Sequence, residues 1–548
     1  MRPFVLDGRL MRRTFVLAAA SAGALTAAAC RSTPAATPGL STHELAAHVR
    51  FLASDAMEGR GPGTRADTLA QAYLAAQLQA AGCEPAGENG GWTQSVPILG
   101  ITSTVTRTLR AVGDGEREFA APEEFTAVAG SPDAAAAWQG AELVFVGFGI
   151  HAPEQRWDDF GDVDLRGKVL LVMNSDPADD PERFGGKTRL YYGRWSYKFE
   201  EAARRGAIGA IIIHTNESAG YPFQVVQANH GRENFWLPFA PGTPTLGIRS
   251  WCTESAAHTL CKLGGQDLDR LREGALRGGQ PPVALGVKLD LGIANVVREF
   301  RSANVVGAVR GADPALADQY VVVTAHFDHL GIGKPRGDDA IYNGAVDNAS
   351  GCAGALSLAR AIAADRPRRS VLFAFVTAEE SGLLGSQHFC AQPTVPADRM
   401  VANYNVDGLN VWGATRDLEF IGYGKNSLSA LAESIATARG RTITPDSNPD
   451  LGLFYRSDHF NFARIGVPAA YFKAGREFYD RPEDRRRMKN SYTTVHYHQP
   501  TDELAAWWNF EGAVADLELI HACLLATANA DAAPTWTPGD EFENARRK

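Results

Sequence analysis

His326, Phe327 and Asp328 follow directly on the apolar run VVVTA, Glu379 and Glu380 follow VLFAFVTA, and Asp407 follows VANYNV. Asp347 sits in the turn GAVDNASG just ahead of a helical stretch, and His498 lies in the segment YHQPTDE. Short apolar runs bounded by turns read as buried strands. In open α/β sheets, ligands gather beyond the carboxyl ends of the strands. Imidazoles and carboxylates converging there form a donor set that suits zinc, and manganese or cobalt fits such oxygen- and nitrogen-rich sites too. Taken singly, each signal is weak. An H-x-D triplet or a Glu pair recurs by chance, Asp347 alone reads as a helix cap beside Asn348, and Asp407 as a strand-end acid. The conjunction of five ligand types in one α/β region is what points to chemistry. Among the neighbours, His329 is expected to point away from the ligands by strand alternation. Ser457, Asp458 and His459 are consecutive, so they do not converge as nucleophile, base and orienter.

The elements that must position these residues alternate from about Ala294 onward as strands and helices, the pattern of an α/β domain with a largely parallel sheet. Strands are expected at Tyr320 to Ala325, Ser370 to Val376, Met400 to Val406 and Ala469 to Phe472, with a helix over Ala349 to Ala364. Two earlier helices are expected, the first capped by Thr42 and the second over Ala66 to Ala81. Between them and the α/β region, Leu143 to Gly147, Val169 to Met173 and Ala210 to Ile213 read as strands, with a helix over Tyr197 to Arg205. The polar tail after Asp531 is expected to fray.

The whole chain has 548 residues, 45% hydrophobic and 21% charged, and a net charge of −9. That length implies more than one core, and that charge repels phosphate backbones, so no nucleic-acid partner is expected. Arg12 and Arg13 precede an apolar, Ala-rich run ending in small residues before Cys30. This is the pattern of an export signal over residues 1–30, followed by a Ser/Thr/Pro linker over 31–41. Export to the periplasm is expected, with secretion as the alternative. Arg12-Arg13-Thr14-Phe15 resembles a twin-arginine signal, and Cys30 resembles the lipid-modified cysteine of a bacterial lipoprotein, which would anchor the protein to a membrane. The other six cysteines lack any C-x-x-C pair, arguing against a cysteine zinc site. Cys252 and Cys261 are the nearest two, with buried thiols the plainer reading.

Read together, H326-F-D328, D347-N-A-S-G, T-A-E379-E380-S-G, N-V-D407-G and Y497-H498-Q-P-T-D502 resemble metallopeptidase clan MH, family 28, the co-catalytic dizinc aminopeptidases. The segment R456-S-D-H459-F-N-F-A-R-I-G-V-P-A-A looks characteristic of the same family. Residues 140–285 resemble a protease-associated domain inserted into the peptidase. The resemblance implies a three-layer α/β/α domain with a mostly parallel central sheet, made of residues 42–139 and 286–530, with the insert between and a polar tail over 531–548.

Residue by residue, it implies that Asp347 bridges two zinc ions, with His326 and Asp407 completing one site and Glu380 and His498 the other. Asp328 would accept the ring N–H of His326 and fix its tautomer. Glu379 would be the general base and Tyr497 the donor to the oxyanion. Tyr455, Arg456, Ser457 and Asp458 would line the substrate pocket. Three carboxylates and two neutral imidazoles carry −3 against +4 from two zincs, and a hydroxide closes the balance. The substrates implied are peptides with a free amino terminus. Carboxypeptidase action, glutaminyl cyclisation and a non-catalytic scaffold are the alternatives within the fold. A basic cluster would mark the carboxypeptidase, and Arg456 alone is thin support for one.

Overall fold

The computed structural model describes residues 40–178, 183–227 and 230–547. The export signal, Cys30 and nearly all of the linker lie outside the described residues. The described chain opens with α1 (Thr42–Leu52) and α2 (Arg65–Ala81). Ser41, not Thr42, is the cap of α1, its hydroxyl accepting from the Glu44 N–H at 3.2 Å. Thr64 caps α2 and Gly82, in the left-handed region, ends it.

Next come β1 (Thr93–Val112), β2 (Phe125–Ala129), β3 (Ala135–Phe145), β4 (Val169–Met173), α3 (Trp195–Arg204), β5 (Gly209–His214) and β6 (Ile248–Thr253). The chain then runs through β7 (Val283–Val309), β8 (Tyr320–His326), α4 (Gly351–Asp365), β9 (Ser370–Val376), β10 (Met400–Asn405), β11 (Asp417–Ile421), β12 (Thr442–Pro445), β13 (Ala469–Ala474) and α5 (Glu511–Asn529).

One sheet carries all these strands, in the order β12-β11-β13-β10-β8-β9-β7-β3-β4-β5-β6-β2, with β1 paired along β7. The central strands β9, β8, β10 and β13 are parallel to one another. Their side chains alternate between two cores. Val321, Val323, Phe373 and Phe375 join α1, α2, α4 and α5 on one face. Val322, Leu372, Ala374 and Val376 meet Phe389 and Phe462 on the other. A strand buried on both faces needs apolar residues at every position, hence the unbroken runs in the sequence. This is the expected α/β fold of helix layers about a mostly parallel sheet.

The second part of the molecule is built on β3 to β6, parallel strands with their own core. That core reaches from Leu99 to Ile293, so residues 99–139 pack here and not with the peptidase half, where the sequence reading put them. The reason is β7. Its first half pairs with β3 and its last residues pair with β9, so a single strand belongs to both halves, with β1 antiparallel beside it. The tail also departs from expectation. Trp536 and Phe542 are buried against Phe454 and Phe460, and Lys425 pairs with Asp540 and Glu541 at 2.9 Å, so aromatic anchoring overrides the polar composition. All six described cysteines are buried free thiols, Cys252 and Cys261 included. Among the described residues no helix is long and apolar enough to cross a membrane.

Candidate metal centre

The parallel strands deliver the ligands. β8 ends on His326, the turn after β9 carries Glu379 and Glu380, and Asp407 follows β10 by two residues. Asp347 stands in an irregular turn before α4, with φ −108° and ψ 91°, so it is not the helix cap its neighbourhood suggests. His498, at φ +57°, enters on the loop after the helix Pro482–Val495.

Two groups of donors share Asp347. The Nε2 of His326 lies 3.2 Å from Asp347 Oδ1 and 3.6 Å from Asp407 Oδ1. On the other side, His498 Nε2 lies 3.3 Å from Asp347 Oδ2 and 2.9 Å from Glu380 Oε2. One carboxylate thus faces two His–acid pairs with its two oxygens, the arrangement expected of a bridging ligand. His329 enters this second group, against expectation. Its Nδ1 is 2.6 Å from Glu380 Oε1 and its ring is edge-on to that of His498. The alternation argument fails because β8 stops at His326 and the chain beyond it is no longer extended strand.

Asp328 does a different job from the one expected. The His326 Nδ1 reaches the backbone carbonyl of Asp328 at 3.2 Å, while the carboxylate is 3.8 Å away. The carboxylate instead accepts the backbone N–H groups of Glu379 and Glu380, at 3.0 and 3.4 Å. It therefore fixes the turn that carries Glu379 and Glu380 together.

Burial opposes every charge here, and the mutual contacts overcome it selectively. Desolvation works against the protonated His326, yet Glu379, Asp347 and Asp407 raise its pKa well above the ordinary value. Burial would raise Asp347, but its contacts with His326 and His498 pull it far below the usual carboxylate range. Glu380 is held to about 2 by His498 and His329 against the same burial. Glu379 goes the other way. Burial and the nearby Glu380, Asp458 and Asp407 carboxylates push its pKa up, against the pull of His326. The same neighbourhood thus moves two adjacent carboxyls in opposite directions.

Residues to which the motifs assigned no role hold the frame. Asp502 accepts the N–H groups of Val346 and Asp347, at 3.0 and 3.1 Å, and the Tyr492 hydroxyl at 3.1 Å. Asn348 donates to the carbonyls of His326 and Val406 and accepts from Gly351 and Gly408, tying three ligand-bearing segments together. Beneath them lies Arg60, fully buried, donating to the carbonyls of Phe327, Leu52, Asn343 and Gly344 at 2.5 to 2.9 Å. Such contacts span hundreds of residues and leave no local pattern to read.

The remaining expected residues divide. Tyr497 stacks on His498 with ring centroids 3.8 Å apart and is 44% exposed, so it faces the open side of the centre. Ser457 donates to Asp407 Oδ2 at 2.6 Å, Asp458 accepts from Ser386 at 2.6 Å, and His459 is buried between Phe454 and Tyr471. The three have separate partners, as expected of residues that form no triad. Tyr455 turns away from the pocket to donate to Glu541 at 2.5 Å. Arg456 lies near Arg189 and Arg194, with its Nε buried without a hydrogen bond.

The donor set fits zinc. His326, Asp347 and Asp407 offer ligand atoms all within 4.8 Å of one another, and so do His329, Asp347 and Glu380. His498 Nε2 and Glu380 Oε1 are buried, and their close contacts to Glu380 Oε2 and His329 Nδ1 are not aligned as hydrogen bonds. Crowded, desolvated carboxylates and imidazoles are costly unless a cation joins them.

Comparison with known proteins agrees with this geometry. Residues 304–519 match the model of peptidase family M28. Aminopeptidase NAALADL1 of Mus musculus is 31% identical over 308 residues, which cover 47% of this chain and 38% of that protein. The glutamate carboxypeptidase 2 homolog of Caenorhabditis elegans is 23% identical over 315 residues, 49% of this chain and 37% of that one. The chain thus spans well under half the length of these two relatives. Among solved structures, the aminopeptidase from Aneurinibacillus sp. strain AM-1 shares the fold, with a TM-score of 0.52 at 19% identity over 90% of this chain and 95% of that one. The matched stretch contains every residue of the metal centre, so the part of the chain that holds the centre is the part similar to peptidase family M28.

Proposed function

We propose that this protein is an exported two-zinc aminopeptidase that removes residues from the free amino termini of peptides. The observation that supports it most is Asp347, with one oxygen toward His326 and the other toward His498, and the carboxylates of Asp407 and Glu380 completing either side. Zinc bound there supplies the Lewis acidity that brings the pKa of water from about 15.7 to near 7 and polarises the scissile carbonyl. The chain does the rest. Glu379, anchored by its N–H on Asp328, takes the proton of the attacking water on its carboxylate and passes it to the leaving amine nitrogen. Its raised pKa suits a base that must both accept and release a proton near neutrality. The Tyr497 hydroxyl, on the exposed side, donates to the oxyanion as the carbonyl carbon becomes tetrahedral. We assign the β3–β6 part as the protease-associated insert, and the export route and any lipid on Cys30 belong to the same proposal.

The test uses paired peptides, identical except for a free or acetylated amino terminus. Mass spectrometry should show stepwise loss from the free peptide only, stopped by chelator and restored by zinc. Loss from the carboxyl end would replace the reading with carboxypeptidase. Cleavage that persists through chelation would remove the metal from it.

A further inference from the structure

The seam between the two halves of the molecule carries a cationic cluster. The insert reaches across through the segment before α3. The Arg189 N–H donates to the Pro449 carbonyl at 3.1 Å, and the Tyr191 ring packs on Phe460 at 5.0 Å and on Tyr455 at 6.2 Å. The Arg189 stem lies so close to Gly452 that a Cβ there would sit 3.1 Å from its Cδ. Arg194 stands at the N-cap of α3, three residues beyond Tyr191. From the other side comes Arg456, whose neighbour Ser457 donates directly to the ligand Asp407.

These three guanidiniums are under-compensated. Arg189 is 8% exposed and gives one N–H to the Ser218 carbonyl at 2.8 Å, yet its Nε is buried without a hydrogen bond, as is the Nε of Arg456. Among the described residues no carboxylate pairs with Arg189, Arg194 or Arg456, though Asp176 and Asp450 lie near Arg189 and the Tyr221 phenol near both insert arginines. Asp176 is shared with the buried Lys198 and accepts the Leu190 N–H at 2.9 Å. Burial, then the charges of Arg456 and Arg189, push the Arg194 pKa down to about 9. Like charges gathered in a place that discourages them need an anion to be stable there.

We propose that Arg189, Arg194 and Arg456 form a subsite that binds a carboxylate of the substrate peptide, within roughly two residues of the scissile bond at the 3.3–3.6 Å span of an extended residue. Ser457 touches Asp407 and Arg456 precedes it, which brings the Arg456 backbone within one residue of the metal centre and sets the span the proposal takes. The forked guanidinium suits carboxylates, held bidentate. The carboxylate is either the α-carboxyl of a short peptide or an acidic side chain next to the cleaved bond. The proposal rests on the metallopeptidase reading but not on which end is trimmed.

The experiment measures binding by calorimetry to the zinc-loaded full chain carrying Glu379→Gln, which should hold peptides without cutting them. Four tripeptides serve as probes: Leu-Glu-Ala and Leu-Gln-Ala, each as free acid and as amide. A carboxylate held by the cluster should bind about tenfold tighter than its neutral counterpart, the size of a charge-assisted contact. Loss on amidation identifies the α-carboxyl, and loss on Glu-to-Gln exchange identifies the side chain. In the added presence of Arg194→Gln or Arg456→Gln the preference should fall below about twofold. Equal binding of all four peptides overturns the proposal, as does a preference that survives both arginine changes. If one arginine variant does not fold, the other decides. The active enzyme's products are scored separately. Carboxyl-end trimming with the charge preference intact refutes the aminopeptidase reading and leaves the subsite standing, and amino-end trimming with charge indifference does the reverse.

Discussion

Asp502 is the support whose removal should be felt most sharply at the metal centre. Its two oxygens accept the Val346 and Asp347 N–H groups and the Tyr492 hydroxyl, and it is 2% exposed. In Asp502→Asn, one of these oxygens becomes an NH2. Whichever way the amide turns, either the Val346 or the Asp347 N–H then faces a donor and loses its acceptor. A buried donor left unsatisfied costs about 1–3 kcal/mol. The cost falls on the turn that carries the carboxylate shared by both ligand groups, so it should appear chiefly in metal affinity, where loss of such a support typically costs 10–100-fold. Competition with a chromophoric chelator measures it directly, and excess zinc should restore much of the lost turnover. Unchanged zinc affinity with a normal thermal midpoint would refute the reasoning, because the shared carboxylate would then need no help from Asp502.

The other predictions follow from the same geometry. Glu379→Gln should lower kcat by about 10²–10⁴-fold, the usual worth of a positioned proton acceptor, while metal analysis shows the zinc content unchanged. His329→Ala should weaken zinc binding in the site that uses Glu380, seen as one of two zincs released at lower chelator concentration, because the contact at 2.6 Å that orients Glu380 is gone. Chelation of the intact enzyme should lower its thermal midpoint, since the acid cluster is then left desolvated without its cation. His48 gives a pH signature. Burial, and secondarily the Arg360 charge, lower its pKa to about 4 from 6.5, so the unfolded chain binds a proton that the fold excludes. Its contribution to stability is complete above about pH 6.5 and declines as the pH falls from 6.5 toward 4, at up to about 1.4 kcal/mol per pH unit. Urea midpoints of His48→Gln should decline less over that window than those of the parent, and parallel declines would contradict the assignment.

His326, Glu380 and Asp407 were legible because each follows an unbroken apolar run, and the runs are unbroken because those strands are covered on both faces, whereas Asp347 and His498 sit in turns and were read from the motifs around them. The helices and central strands appear close to where periodicity places them. What the sequence concealed depends on distant partners. β7 exposes Val296 and Val297 in mid-strand, so neither alternation nor a continuous run marks it, and the reach of the second core back to Leu99 was missed with it. His329 was misread because a strand's end cancels alternation. Asp502, Asn348 and Arg60 act through backbone atoms far away in sequence, and a hydrogen bond to a carbonyl asks nothing of the residue that carries it. The three arginines come from two halves of the molecule, and only folding brings them to one seam.

The long strand β7 has a mechanical consequence. At about 3.3 Å per residue its 27 residues make a girder on the order of 90 Å long. It is braced along much of that length by β1 and joined to both cores without an intervening loop. Domains that swing do so on a few loop residues that absorb the rotation. A ladder of backbone hydrogen bonds resists such rotation, and the register irregularities between Ala284 and Ile293 are where this strand departs from a regular ladder. A strain applied to one core is thus passed along a single backbone to the other, so the two halves are mechanically coupled.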